Sequence, residues 1–237
     1  MRHFVFYVPG FGNRATSRGL FLGFDKVFSI PTTYHILADY NGVTEDGRLL
    51  VTSLLAQAQK LGDVIKDIKP YVSGSTVHFV AHSQGCEVVA LLVDQKMLRV
   101  PILMGTAILL APPKTISVQD VARMFERPGA ELNLEGYSFL PRADGSMTVV
   151  SSEYWSRLIN VDCESGYGKL AAIMKRTIIV NAGEDKCVEK VEKINISPYF
   201  RKRTEVIVKE IPGADHNFTG DACPELMAVL EKLMKIE

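Results

Sequence analysis

The stretch Val77–Leu92, VHFVAHSQGCEVVALL, passes from β-branched and aromatic residues into a helix-forming apolar run with almost nothing between them. Ser83 stands at the junction, with Ala81 two residues before it and Gly85 two after. A buried strand that becomes a buried helix over so short a link must turn sharply. Neighbours with little or no side chain let the backbone fold tightly beneath the serine. Such a turn, at the carboxyl end of a parallel strand, exposes the hydroxyl. The helix that follows offers unbonded N–H groups and the positive end of its dipole, which suit a developing oxyanion.

The rest of the chain repeats this alternation. Short apolar runs predict strands at His3–Val8, Val27–Ile30, Thr76–Ala81, Ile102–Ala111, Thr177–Asn181 and Val206–Ile211. Helical spacing predicts helices at Leu49–Ile68, Gln84–Gln95 and Pro224–Met234, the last with Asp221 as a cap. Strands that are continuously apolar are buried on both faces. The expected class is therefore α/β, a mostly parallel sheet of about six strands flanked by helices. At 237 residues the chain reads as a single domain, 1–237. Residues 113–169 break the alternation with the helical stretches SVQDVARMFERPG and VSSEYWSRLI and the turn PRADGS, and read as a cap or lid inserted between two core strands.

Charge and cysteine usage narrow the function classes. Lys+Arg and Asp+Glu cancel at 27 each, which argues against a nucleic-acid or anionic-membrane surface driven by net charge. Cys86, Cys163, Cys187 and Cys223 are widely spaced and contain no CxxC pair, so zinc-finger spacing is absent and reduced thiols in the cytoplasm are expected. Neither the cysteines nor the histidines show metal-ligand spacing, and no metal or cofactor is expected. The start, MRHFVFYVPG, lacks a small-residue cleavage site, and VPILMGTAILLAPP is interrupted by Pro and Gly. That run falls far short of the ~20 residues a membrane span needs, so a soluble protein without a span is expected.

A serine hydroxyl is a weak nucleophile and needs a base, itself oriented by a third group. Of the five histidines, His3 and His78 lie on predicted strands, and His35 falls in an early loop. His82 adjoins the serine, but the sharp turn aims its side chain elsewhere. His216, in IPGADHNF, follows the last predicted strand on a Gly-containing loop that can reach over the sheet edge. The acid is expected after the preceding strand, where TIIVNAGEDKCV supplies Glu184 and Asp185. Asp185 is preferred because Val188 would pack the loop down and aim that carboxylate inward; Glu184 is the alternative.

The order Ser83, Asp185, His216, the elbow around Ser83 and the N-terminal FVFYVPGFG together resemble the α/β-hydrolase superfamily, nearest to its small lipase, esterase and serine-aminopeptidase-like members. The resemblance spans nearly the whole chain. It implies a first oxyanion loop at FVFYVPGFG, an oxyanion hole formed by the backbone N–H groups of Phe11 and Gln84, and a sheet that begins at the full fold's third strand, so that the N-terminus belongs to the fold. DYNGVTEDG stands where the family often has a D-x-x-G-x-G-x-S-like loop. Pro9 replaces the usual His of the oxyanion loop, and Ala81 replaces the first elbow Gly. The implied activity is hydrolysis of a carboxylic ester of a small or medium acyl group through an acyl-enzyme. A peptidase or thioesterase with the same triad stays open, as does a catalytically silent ligand- or partner-binding protein. The expected partner is a small-molecule acyl substrate, with Phe139 and Trp155 as candidate binding residues; oligomeric state is not readable.

Overall fold

The computed structural model describes residues 1–14, 16, 19–68, 71, 74–98, 103–158, 161–195 and 204–234. Six strands form one parallel sheet: β1 (His3–Val8), β2 (Thr33–Leu37), β5 (Thr76–His82), β6 (Leu103–Leu110), β11 (Arg176–Ala182) and β12 (Glu205–Ile211), in the order β12-β11-β6-β5-β1-β2. Ile102, placed at the start of a predicted strand, lies outside the described residues. The chain steps from β1 to β2 on one side, then crosses to β5 on the other. The carboxyl ends of β1 and β5 therefore flank a point where the strand order reverses, which is where open α/β sheets form their crevices.

Alternation along the strands builds two cores. Phe4, Phe6, Val8, Phe79, Ala81, Leu109 and Ile179 face one side with Leu61 and Ile65 of the Leu54–Asp67 helix and Val88, Val89 and Leu92 of the Gln84–Asp94 helix. Val5, Tyr7, Val80, Ile108, Leu110, Ile178 and Val180 face the other with Phe24, Phe28, Leu226 and Leu230. Burial on both faces explains why the central strands read as unbroken apolar runs.

Two predicted elements and the placement of His35 are corrected. No strand occurs at Val27–Ile30; Val27 closes a short helix, Phe24–Val27, and Phe24, Val27 and Phe28 are buried at helical spacing. The edge strand is instead Thr33–Leu37, whose Tyr34 and Leu37 are exposed, so its apolar signal is weak. It carries His35, expected in a loop, whose Nδ1 lies 2.7 Å from Tyr7 Oη. The helix expected from Leu49 begins at Leu54, because Ser53 caps it by accepting from the Ala56 N–H at 3.3 Å. Leu49–Val51 is a strand, β4, paired antiparallel with β3 (Gly42–Val43).

Residues 113–169 are joined to the rest of the chain by more than their two ends. Short strands β7 (Thr115–Ile116) and β10 (Val161–Asp162) pair at the base. Between them lie the helices Val118–Ala122 and Ser152–Arg157 and a hairpin of β8 (Ser138–Pro141) and β9 (Met147–Val150), with the predicted PRADGS turn at its tip. β9 pairs parallel with β4, so the hairpin completes a four-stranded sheet begun by residues 42–51.

A helix at Cys163–Ile173 was hidden by its glycines, which depress helix propensity. They allow close packing: a Cβ on Gly166 would lie 3.2 Å from Ala90 Cβ and 3.1 Å from Glu87 Oε2. Glu87 is 2% exposed between the two helices, and its Oε2 has no hydrogen-bond partner among the described residues. Burial pushes its carboxyl up to about 8, with Asp162 and Asp94 adding to the rise and Cys163 and Lys169 opposing it. Because the folded value lies above the ordinary 4.5, the folded chain holds an extra proton between the two. Stability is present below about pH 4.5 and falls as pH rises through about 8. Glu87→Gln carries no such loss. Its advantage in thermal unfolding is expected to be near zero at acid pH and to widen towards pH 8, by up to about 1.4 kcal/mol per pH unit. A gap independent of pH would disprove the assignment.

No helix among the described residues is long and apolar enough to cross a membrane. No disulfide joins the cysteines among the described residues; Cys86 and Cys163 lie in the core and Cys187 is exposed.

Candidate active site

Ser83 follows β5 directly and starts the Gln84–Asp94 helix with φ 54° and ψ −130°, a conformation non-glycine residues rarely adopt. Its surroundings enforce it. The Ser83 N–H donates to Leu110 O at 2.8 Å, and Ser83 O accepts from the Cys86 N–H at 2.9 Å. Gly85 lets the helix start against the end of β1, where any Cβ would lie 2.4 Å from Pro9 O. The turn predicted from VHFVAHSQG is present.

Asp185 and His216 arrive from the ends of β11 and β12. His216 Nε2 lies 2.9 Å from Ser83 Oγ, and His216 Nδ1 lies 2.7 Å from Asp185 Oδ2. Asp185 Oδ1 accepts from the Cys187 N–H at 2.7 Å and the Val188 N–H at 3.2 Å. Val188 thus helps aim the carboxylate through its amide. The Asp185 side chain is 2% exposed and that of His216 14%. Burial alone would raise the Asp185 carboxyl, but the hydrogen bond and charge of His216, with the two amides, outweigh it and hold it below its ordinary value. Glu184, the alternative acid, is exposed.

The sequence reading missed what His82 does. Its Nε2 lies 2.8 Å from His216 O, and the two rings pack with centroids 4.9 Å apart. A carbonyl only accepts, so His82 carries a proton on Nε2 and braces the backbone of His216 from below. On the other side of the base, Asp215 accepts from the Asn217 and Thr219 N–H groups at 3.2 and 2.8 Å and closes the loop.

The two predicted oxyanion donors lie on either side of the β1–β5 junction. Gln84 opens its helix, so its N–H has no carbonyl one turn back to bond. Phe11 lies in the loop after β1. Tyr40 Oη donates to Pro9 O, Asn41 Nδ2 to Asn13 O at 3.1 Å, Thr148 Oγ1 to Gly12 O at 3.3 Å, and Arg142 Nη2 to Phe11 O at 3.3 Å. The Gln84 side chain is tied too: Tyr154 Oη donates to its Oε1 at 2.7 Å, and its Nε2 donates to Gln57 Oε1 at 3.1 Å.

Of the candidate substrate residues, Trp155 is 4% exposed, donates from Nε1 to Ser138 Oγ at 3.0 Å, and packs edge-on against Phe125. It is spent on packing the 113–169 segment. Phe139, on β8, is half-buried. No metal was expected, yet Asp185, Cys187 and His216 bring O, S and N donor atoms within 4.8 Å of one another. Two of those three are already bonded to each other.

No protein-family model matches the chain, and no curated protein does. Solved structures do. Est1E from Butyrivibrio proteoclasticus, also solved with ferulic acid bound, is 19% identical with a TM-score of 0.64 over 99% of this chain and 87% of that one. A structure from work on the metagenome-derived lipolytic enzymes LipS and LipT is 14% identical, with a TM-score of 0.59 over 100% of this chain and 94% of that one. An alpha-beta serine hydrolase homologue from Coxiella burnetii is 15% identical, with a TM-score of 0.53 over 98% and 84%. The chain has the α/β-hydrolase fold.

Proposed function

We propose that the chain is a serine hydrolase that cleaves a carboxylic ester of a small or medium acyl group. The observation that carries this is the unbroken hydrogen-bond chain from Asp185 through His216 to Ser83, ending on a serine held at φ 54°. Fold neighbours described as lipolytic enzymes and a serine hydrolase homologue support the reading.

In this mechanism His216 Nε2 takes the Ser83 hydroxyl proton as Oγ attacks the acyl carbon. The Phe11 and Gln84 N–H groups bind the oxyanion, and Asp185 holds the imidazole with its proton on Nδ1 and stabilises the imidazolium. Collapse of the tetrahedral species expels the alcohol, which receives the proton from Nε2. Water then gives a proton to the same nitrogen, attacks the acyl-enzyme and releases the acid, returning Ser83 to its hydroxyl form. Residues 113–169 act as a cap, which their contacts to the Phe11 loop and to Gln84 support. Cysteines that form no disulfide among the described residues suit a reducing cytoplasm.

Intact-mass analysis after incubation with a fluorophosphonate tests the reading. One adduct on the wild type that is missing from Ser83→Ala is expected, followed by turnover of p-nitrophenyl esters ahead of thioesters and aminoacyl amides. A folded wild type that takes no adduct would point to a silent binding protein, and faster turnover of a thioester or amide would move the substrate class.

A further inference from the structure

Arg142, in the turn between β8 and β9, points inward at the loop after β1. Its Nε donates to Thr148 Oγ1 at 2.7 Å, its Nη2 donates to Phe11 O at 3.3 Å, and its guanidinium carbon lies 5.8 Å from the centroid of the Phe11 ring. Thr148 in turn donates to Gly12 O at 3.3 Å. Gly12 faces this cluster closely, since a Cβ there would lie 2.1 Å from Arg142 Nη2 and 2.8 Å from Thr148 Cγ2.

The loop these groups grip is a tight turn. The Asn13 N–H donates to Gly10 O at 3.2 Å, which makes Gly10–Asn13 a four-residue turn with Phe11 and Gly12 at its centre. Gly12 has φ +58°, the positive value that a type II turn requires at its third residue. Types I and II differ by a flip of the central peptide, here the one joining Phe11 to Gly12, and a glycine in third place can occupy both. The carbonyl of that peptide is the one Arg142 holds. Arg142 and Thr148 both come from the hairpin of β8 and β9, whereas Tyr40 and Asn41, which hold Pro9 just before the turn and Asn13 at its end, precede the hairpin by about a hundred residues of chain.

We propose that Arg142 is a positioning residue for the oxyanion hole. By holding the Phe11 carbonyl and packing on the Phe11 ring, it keeps the central peptide of the turn in one of its two orientations and keeps the neighbouring Phe11 N–H aimed at the oxyanion. The inserted hairpin thereby completes the hole from outside the α/β core. This rests on the serine hydrolase reading above, in which the Phe11 N–H is one of the two donors.

Steady-state kinetics on a p-nitrophenyl ester test it, with folding checked by thermal unfolding. Removing a whole oxyanion donor costs about 10²–10³ in kcat, so a misaimed one in Arg142→Ala is expected to cost about 10–100-fold, with KM little changed. Added guanidinium ion, which can refill the vacated position, is expected to recover much of the lost rate. Arg142→Lys keeps the charge and the stem over Phe11 but not the fork, and is expected to fall between the two. Arg123→Ala, whose side chain is 69% exposed, is the control and should match the wild type with or without guanidinium. A folded Arg142→Ala with wild-type kcat would overturn the proposal, as would a loss that guanidinium leaves untouched. If Arg142→Ala does not fold, wild-type kcat in Arg142→Lys would overturn it. A wild type with neither turnover nor a fluorophosphonate adduct would instead bring down the hydrolase reading, and this inference with it.

Discussion

Asp185→Asn is expected to lower kcat by about 10⁴ while leaving KM and folding close to wild type. The magnitude follows from which atoms must be satisfied. Oδ1 receives two backbone N–H groups, from Cys187 at 2.7 Å and from Val188 at 3.2 Å. An asparagine must therefore offer its carbonyl oxygen to those amides, because presenting its NH₂ there would set donor against donor. That choice points the NH₂ at His216 Nδ1. The imidazole then has to accept at Nδ1 and carry its proton on Nε2, the nitrogen that must take the Ser83 proton. The geometry survives and the tautomer is wrong. Glu184→Gln is the matched control, since that side chain is exposed, and it should lose little. If Asp185→Asn fell by less than tenfold, the buried carboxylate would be structural and the orienting acid would have to be found elsewhere.

The parts of this arrangement that could be read in the sequence are those built from consecutive residues. The strand-to-helix turn at Ser83 announces itself because a β-branched run and a helical run abut around Ala81 and Gly85, and the histidine and acid loops each follow a recognisable strand. What stayed hidden depends on residues far apart in the chain. Arg142 reaches Phe11 across 131 positions, and Tyr154 reaches Gln84 across 70. Neither carries any local pattern that separates it from an ordinary surface or core residue. The pairing of β9 with β4 is of the same kind, and because Leu49–Val51 is apolar and runs into a true helix, its strand character was absorbed into the helical period. In the sequence, the sharp turn directs the His82 side chain away from the serine. It does point away, and what it meets there is the backbone of the base. The edge strand Thr33–Leu37 was missed for a different reason: half-exposed side chains leave neither a continuous nor a cleanly alternating signal.

Gly85→Ala is expected to be the most damaging single-methyl change at the site. An alanine Cβ would lie 2.4 Å from Pro9 O, 2.6 Å from Val8 O and 3.1 Å from Pro9 C, all backbone atoms that cannot rotate aside. The helix beginning at Gln84 must then move off the end of β1, or β1 must move off the helix. β1 is held by β2 and β5 along its length, and Pro9 O is held by Tyr40 Oη, so the displacement falls on the helix start. Overpacking of this kind costs about 3 kcal/mol or more, which for a domain of this size lowers Tm by roughly 6–12 °C. It also separates the Gln84 N–H from the Phe11 loop, so the folded fraction should lose turnover as well as stability. Gly47→Ala provides the comparison, because its φ is +82° but no atom lies within 4 Å of the added carbon, leaving only backbone strain of about 1–2 kcal/mol. The contrast bears on why the elbow tolerates Ala81 but keeps Gly85. Ala81 is fully buried yet sits within β5, with its methyl directed into the apolar core, whereas position 85 faces the carbonyls that end the neighbouring strand. Thermal unfolding and kcat of Gly85→Ala decide it. A Tm and a rate both equal to wild type would mean that the helix is not seated on β1 as described, and that the two oxyanion donors do not share a common support.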